Sequence, residues 1–249
     1  ADRYIRHRPG TDIALINGIL RGIIEEMESR PVDDPQRVKF YEFLNWSGGL
    51  SFWTDGDDTT PSQSVSVPGC SKYTDARFIL TSDGTDYARH TIVAATGAEA
   101  VGGEPANTVI SNFPKMAATV DADPDTVYNR LKAHVAPYTP EIVSEITGVT
   151  QADVAFLVDA YINNSRCSSP SVVSGAGVQD PRDPNYKCTT MMYAMGLTQH
   201  TCGGQNVKSF ATIQSFMGNT GRPGGGINAL RGIHNVQGST DAGNLQHLI

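Results

Sequence analysis

The order of Thr189-Thr190-Met191-Met192-Tyr193-Ala194-Met195-Gly196-Leu197-Thr198-Gln199-His200-Thr201-Cys202-Gly203-Gly204 sets the architecture expected of this 249-residue chain. Residues 189–194 form a short apolar run stopped by Gly196 and read as a buried strand. A polar loop follows, and residues 205–217 then place Val207, Phe210, Ala211 and Ile213 on one face at helical spacing. Strand, loop and helix in alternation favour an α/β layer architecture. In open α/β sheets ligands gather at the carboxyl ends of strands. The loop leaving this strand carries Gln199 and His200, both able to hydrogen-bond a ligand, and a histidine exchanges a proton near neutral pH. For His200 taken alone, a structural role is the competing reading.

Beyond the helix come Gly218-Asn219-Thr220-Gly221-Arg222-Pro223-Gly224-Gly225-Gly226 and then Ile227-Asn228-Ala229-Leu230-Arg231-Gly232. Of the 25 glycines, 11 fall between Gly196 and Gly243, and residues 188–249 hold one carboxylate, Asp241, against Lys208, Arg222 and Arg231. Such a stretch suits backbone amides closing on an anion; a long surface loop is the alternative. Arg231 has no nearby acid in sequence, which makes its guanidinium a candidate fork for a small carboxylate or phosphate, with a distant salt bridge as its rival.

Toward the N-terminus, residues 4–8 read as the end of a strand broken by Pro9-Gly10. Thr11 or Asp12 can cap a helix with Ile13, Ile16, Leu20, Ile23, Ile24 and Met27 on its buried face. Residues 31–118 hold short apolar runs, 77–81 and 91–95, punctuated by Asp, Ser, Thr and Gly, and read as an irregular insertion or small subdomain. Asp55-Gly56-Asp57-Asp58 lacks the acid that would complete a calcium loop and reads as a solvated turn. A helix opens at Asp123 or Pro124 and runs through Val127, Leu131 and Val135. Another starts at Thr139-Pro140-Glu141 and stops at Gly148, and Thr150 with Asp153 caps a third. The domain division expected is 1–30 with 119–233, the insertion 31–118, and 234–249 returning toward a neighbouring domain.

The formal net charge of −7 argues against broad nucleic-acid binding. No run approaches about 18 apolar residues, so no membrane span is expected. Ala1-Asp2-Arg3-Tyr4 lacks the order of a signal peptide. Cys70, Cys167, Cys188 and Cys202 form no Cys-x-x-Cys pair, so no zinc or iron–sulfur spacing is present and no metal ligand is assigned; up to two disulfides, or none, remain open.

At Arg8-Pro9-Gly10-Thr11-Asp12-Ile13-Ala14-Leu15, Tyr138-Thr139-Pro140-Glu141, Met195-Gly196 through Gln199-His200, and Asn228-Ala229-Leu230-Arg231-Gly232 through Asn235-Val236-Gln237-Gly238, the chain resembles the large subunit of molybdenum- or tungsten-dependent formate dehydrogenases, molybdopterin guanine dinucleotide oxidoreductases. The resemblance covers residues 1–27 and 125–249, and nothing in 31–118 matches. Periplasmic nitrate reductases resemble the Gln-His loop and lack the later arginine.

The resemblance implies a Rossmann-like dinucleotide-binding layer and a chain that is an internal segment of a longer catalytic subunit. Gly10, Thr11 and Asp12 match the turn holding the guanine end of a pterin dinucleotide, where the carboxylate accepts from guanine N1–H and N2–H. Met195, Gly196 and Gln199 match positions along the pterin and pyrophosphate. Arg231 matches the arginine that pairs with formate, His200 a histidine near the same pocket, and Gly232 a close backbone approach to the metal; Ile233 departs from a polar residue in relatives. The implied reaction is reversible oxidation of formate to carbon dioxide, the hydrogen leaving as hydride or as a proton with two electrons. The implied cofactors are two molybdopterin guanine dinucleotides, tungsten or molybdenum, and a 4Fe-4S cluster bound elsewhere in the subunit. The cysteine or selenocysteine metal ligand also belongs elsewhere. A smaller iron–sulfur electron-transfer subunit is the implied partner, and the family leans periplasmic. Two alternatives are a related molybdopterin enzyme acting on another oxyanion such as nitrate, and a non-catalytic binding or assembly module.

Overall fold

The computed structural model describes residues 2–45, 50–53, 64–67, 76–86, 88–93, 109–114, 117, 119–169, 182–230, 238 and 242. Its elements, in chain order, are α1 (Asp12–Ser29), α2 (Pro35–Leu44), β1 (Leu50–Trp53), β2 (Ser64–Val67), β3 (Arg89–Val93), β4 (Val109–Pro114), α3 (Val127–Val135), α4 (Pro140–Thr147), α5 (Gln151–Asn163), β5 (Thr190–Tyr193), α6 (Met195–Thr198), α7 (Gly203–Phe216) and β6 (Gly226–Ala229). The chain divides into two compact units, Ala1–Leu20 with Pro140–Ile249, and Arg21–Thr139. The division falls within α1 and before α4, rather than at residues 30 and 118.

In the first unit the described sheet is a parallel pair, β5 with β6, in register from Thr190 opposite Gly226 to Tyr193 opposite Ala229. A parallel pair needs a crossover, and α6 and α7 supply it. Gln214 of α7 fastens the amino ends of both strands. Fully buried, it donates from Nε2 to Thr189 O at 3.0 Å and Gly226 O at 2.8 Å. Asn219, also fully buried, donates to Gln214 Oε1 at 3.2 Å and to Ser165 Oγ at 2.9 Å. The run at 189–194 was expected to be buried. Instead Thr190, Met192, Asn228 and Leu230 are exposed while the alternate residues are half-buried, as the two-residue period of a strand dictates when only one face is covered.

The helices of this unit follow their local signals. Pro140 opens α4 at its first position. Thr150 caps α5, accepting from Asp153 N at 3.1 Å and donating to Asp153 Oδ2 at 2.7 Å. Among the described residues the expected strand at residues 4–8 pairs with no sheet; Arg8 N donates to Thr147 O at 2.8 Å instead.

In the second unit Ile23, Ile24, Met27, Phe40, Leu44, Tyr128 and Val135 are buried, each aliphatic side chain stabilising by about 1.5–3 kcal/mol. Within the expected insertion, β1 pairs antiparallel with β2, and β3 with β4 across an irregularity between His90 and Ile92. Residues 78–80 are bridge residues, and among the described residues Ile79 pairs antiparallel with Thr126. The third helix is capped by Thr126, which accepts from Asn129 N at 3.2 Å, rather than by Asp123. The Asp55–Asp58 turn and Cys70 lie outside the described residues. Cys167, Cys188 and Cys202 form no disulfide. Among the described residues no helix is long and apolar enough to cross a membrane.

Candidate active-site pocket

Two chain segments, far apart in sequence, build the site, and both belong to the first unit. The first is the turn entering α1. Gly10 sits at φ +80°, a conformation that glycine adopts without steric cost. Thr11 then donates its hydroxyl to Arg8 O at 2.6 Å, so it closes the turn and does not cap the helix amides. Arg8 in turn donates to Ile146 O at 3.1 Å and to Glu145 O, which anchors the turn to the last residues of α4. The helix begins at Asp12, whose negative charge suits the positive end of the helix dipole. Asp12 is only 8% exposed, and His7 donates from Nε2 to its Oδ1 at 3.0 Å. Among the described residues the amides of Asp12, Ile13 and Ala14 have no acceptor.

The second segment leaves the carboxyl end of β5. Leu230 N bonds to Tyr193 O at 2.6 Å, which carries the strand pairing past the last residue of β6. The chain then turns through α6, where Gln199 N donates to Met195 O at 2.8 Å. His200 Nε2 lies 2.8 Å from Gly196 O. A carbonyl can only accept, so Nε2 carries the proton of this bond and Nδ1 of the neutral ring bears the lone pair. Asn206, fully buried, donates to Leu197 O at 3.0 Å and ties the loop to α7. At Gly203 an added Cβ would lie 2.0 Å from Thr198 O, so the loop closes on α7 at a distance no other residue allows.

Between these segments lies a cavity of about 450 Å³, within the range of roughly 300–1,000 Å³ common for small-molecule sites. Asp12 and His7 line it from the first segment, Gly196 and His200 from the second, with Tyr193, Leu197 and Phe210 as apolar wall. Tyr193 and Phe210 meet edge to face at 6.5 Å. Of the residues expected at a site, Asp12, Gly196 and His200 therefore converge. Gly10 and Thr11 shape the turn without lining the cavity, and Met195 and Gln199 are exposed beside it, Gln199 Nε2 lying 3.6 Å from Met195 Sδ. Arg231 and Gly232 lie outside the described residues. The glycine-rich loop at 218–226 does not line this cavity; its Arg222 stacks on Tyr186 at 4.6 Å and donates to Ser169 Oγ at 3.2 Å.

His7 was not expected. Its one signal in the sequence is an ionisable residue three positions before the glycine of a Pro-Gly turn, and that spacing alone does not aim it at Asp12.

No family model matches the chain. Over 120 residues it is 41% identical to the nitrate-inducible formate dehydrogenase major subunit of Escherichia coli and 44% identical to the formate dehydrogenase major subunit of Haemophilus influenzae, each match covering 48% of this chain and 10% of the relative. It is 33% identical over 121 residues to the F420-dependent formate dehydrogenase 1 subunit alpha of Methanococcus maripaludis, covering 49% of this chain and 15% of that one. About half of this chain is thus homologous to formate dehydrogenase major and alpha subunits, and the chain spans only a small part of their length.

Proposed function

We propose that this chain is a segment of a formate dehydrogenase catalytic subunit and forms one wall of its cofactor and substrate site. The observation that carries this reading is the convergence of Asp12 with Gly196 and His200 on one cavity, because the same residues match the family's cofactor-binding turn and loop. The Rossmann-like layer is part of the proposal and is supported by the parallel β5–β6 pair with its helical crossover.

The described residues fit the guanine end of a pterin dinucleotide. A nearly buried carboxylate can accept from two adjacent ring N–H groups. The amides that open α1 have no acceptor among the described residues and suit a phosphate, and Tyr193, Leu197 and Phe210 offer apolar surface to a flat base. Asp12 would hold the guanine, with Gly196 and Gln199 along the dinucleotide. When bound, such a group, with its molybdenum or tungsten, would supply the two-electron chemistry. Arg231 is assigned to the formate carboxylate, which a guanidinium neutralises and orients. His200 lines the same cavity as Asp12 and, with Nε2 engaged by Gly196 O, presents Nδ1 as an acceptor toward the bound dinucleotide.

The test uses the intact subunit. Asp12→Asn removes one acceptor oxygen and is expected to lower the guanine nucleotide released on acid hydrolysis. Arg231→Ala is expected to leave that content unchanged and cut formate oxidation by roughly 10²–10³-fold. Formate turnover unaffected by Arg231→Ala, or a subunit that reduces nitrate and ignores formate with the same dye, would overturn the assignment.

A further inference from the structure

Building on the guanine-end reading of the Asp12 cavity, we propose that His7 is a positioning residue that holds the Asp12 carboxylate available to the base. His7 and Asp12 line the same cavity, and the imidazole Nε2 is 3.0 Å from Oδ1. The two are five residues apart, brought together by the Pro9-Gly10 turn, whose geometry is fixed by the Thr11 bond to Arg8 O.

The need for such a residue follows from what surrounds the acid. Asp12 is the first residue of α1, and the amides of Asp12, Ile13 and Ala14 have no acceptor among the described residues. A carboxylate at that position has an easy local alternative, which is to curl back onto its own helix amides. That conformer would satisfy both groups at once and remove both from a ligand. One hydrogen bond from His7 opposes it. Each carboxylate oxygen has two lone-pair directions, so His7 occupies one of four and leaves enough for a base that presents two neighbouring N–H donors. The bond works with the imidazole neutral, because it uses only one ring N–H, and gains a charge when the ring is protonated.

The experiment measures guanine nucleotide, released as GMP by acid hydrolysis, per intact subunit, together with the melting temperature of cofactor-free protein. His7→Leu keeps volume without a donor, and His7→Gln restores an amide N–H at similar reach. Expected are a roughly tenfold or greater loss of retained nucleotide in His7→Leu, recovery toward the parent level in His7→Gln, and similar melting temperatures for both cofactor-free variants. If His7→Leu retains full nucleotide while Asp12→Asn loses it, the role of His7 is refuted and the guanine site stands. If His7→Gln fails to restore nucleotide, or cofactor-free His7→Leu is destabilised in step with the loss, His7 is merely structural and the proposal fails. Full nucleotide in Asp12→Asn refutes the guanine site itself, and the proposal with it.

Discussion

Replacing Gln214 by leucine should loosen the β5–β6 pair that presents the site. Gln214 is fully buried and makes three hydrogen bonds, from Nε2 to Thr189 O and Gly226 O and to Oε1 from Asn219 Nδ2. Leucine fills most of the volume but offers no donor or acceptor. Thr189 O then loses a partner at the entry to β5, Gly226 O at the entry to β6, and Asn219 one of its two acceptors. A lost bond that leaves a buried polar group costs about 1–3 kcal/mol. Gly226 O also lies 3.5 Å from Thr190 Oγ1, and Asn219 keeps Ser165, so each loss falls near the lower bound and the net cost is about 3 kcal/mol. That corresponds to roughly a 10²-fold rise in local opening. Amide hydrogen exchange read by mass spectrometry on peptides spanning residues 189–194 and 226–230 gives the value directly. Faster exchange confined to these peptides and the adjoining 195–200 loop is the expected outcome. Protection within about threefold of the parent would refute the clamp, since three buried bonds cannot vanish without cost in a region they hold closed.

Two further outcomes are expected. Gly203→Ala brings a Cβ within 2.0 Å of Thr198 O, a backbone atom that cannot rotate away. The loop must shift, with a cost of about 1–3 kcal/mol and a fall in retained guanine nucleotide; an unchanged melting temperature would contradict that contact. In the second unit, burial first and then its bond to Tyr41 at 3.1 Å push the Tyr128 phenol well above the usual tyrosine range. A folded phenol that keeps its proton while the unfolded chain ionises contributes stability that is intact below about pH 10 and declines above it. Tyr128→Phe should therefore flatten the alkaline fall of the unfolding midpoint, and equal slopes in the two proteins would refute the attribution.

The parts legible in the sequence are those with short-range causes. Pro140 and Thr150 each fix a helix start through their own backbone geometry or side chain, and both stand where spacing placed them. The third helix begins later than expected because Thr126 offers a hydroxyl to Asn129 N, while Asp123 Oδ1 accepts from Asp125 N in the preceding turn. Extended segments were read less well. Residues 4–8 look strand-like but find no sheet partner among the described residues, and Gly226-Ile227-Asn228-Ala229 forms β6 from a composition that signals only a loop. Pairing is decided by distant chain, which local pattern does not encode. The site divides the same way. Asp12, Gly196 and His200 follow from a turn and a strand end, whereas Met195 and Gln199 share that loop but lie outside the cavity because α6 turns them away from its wall.

His200 shows why a structural and a chemical role need not compete. Its Nε2–H is held by Gly196 O at 2.8 Å, an intraloop bond that any suitable donor could supply. That bond survives a change of protonation state, since Nε2 carries a hydrogen in both the neutral ring of this tautomer and the imidazolium. The ring therefore keeps its place in the loop in either form, because the contact that positions it is the same. Had the carbonyl been replaced by a donor, Nε2 would have to accept, and protonation would break the contact that positions the ring. The backbone of Gly196 thus does more than leave room beside the cavity: its oxygen selects the tautomer, and with it the ring nitrogen that keeps its lone pair.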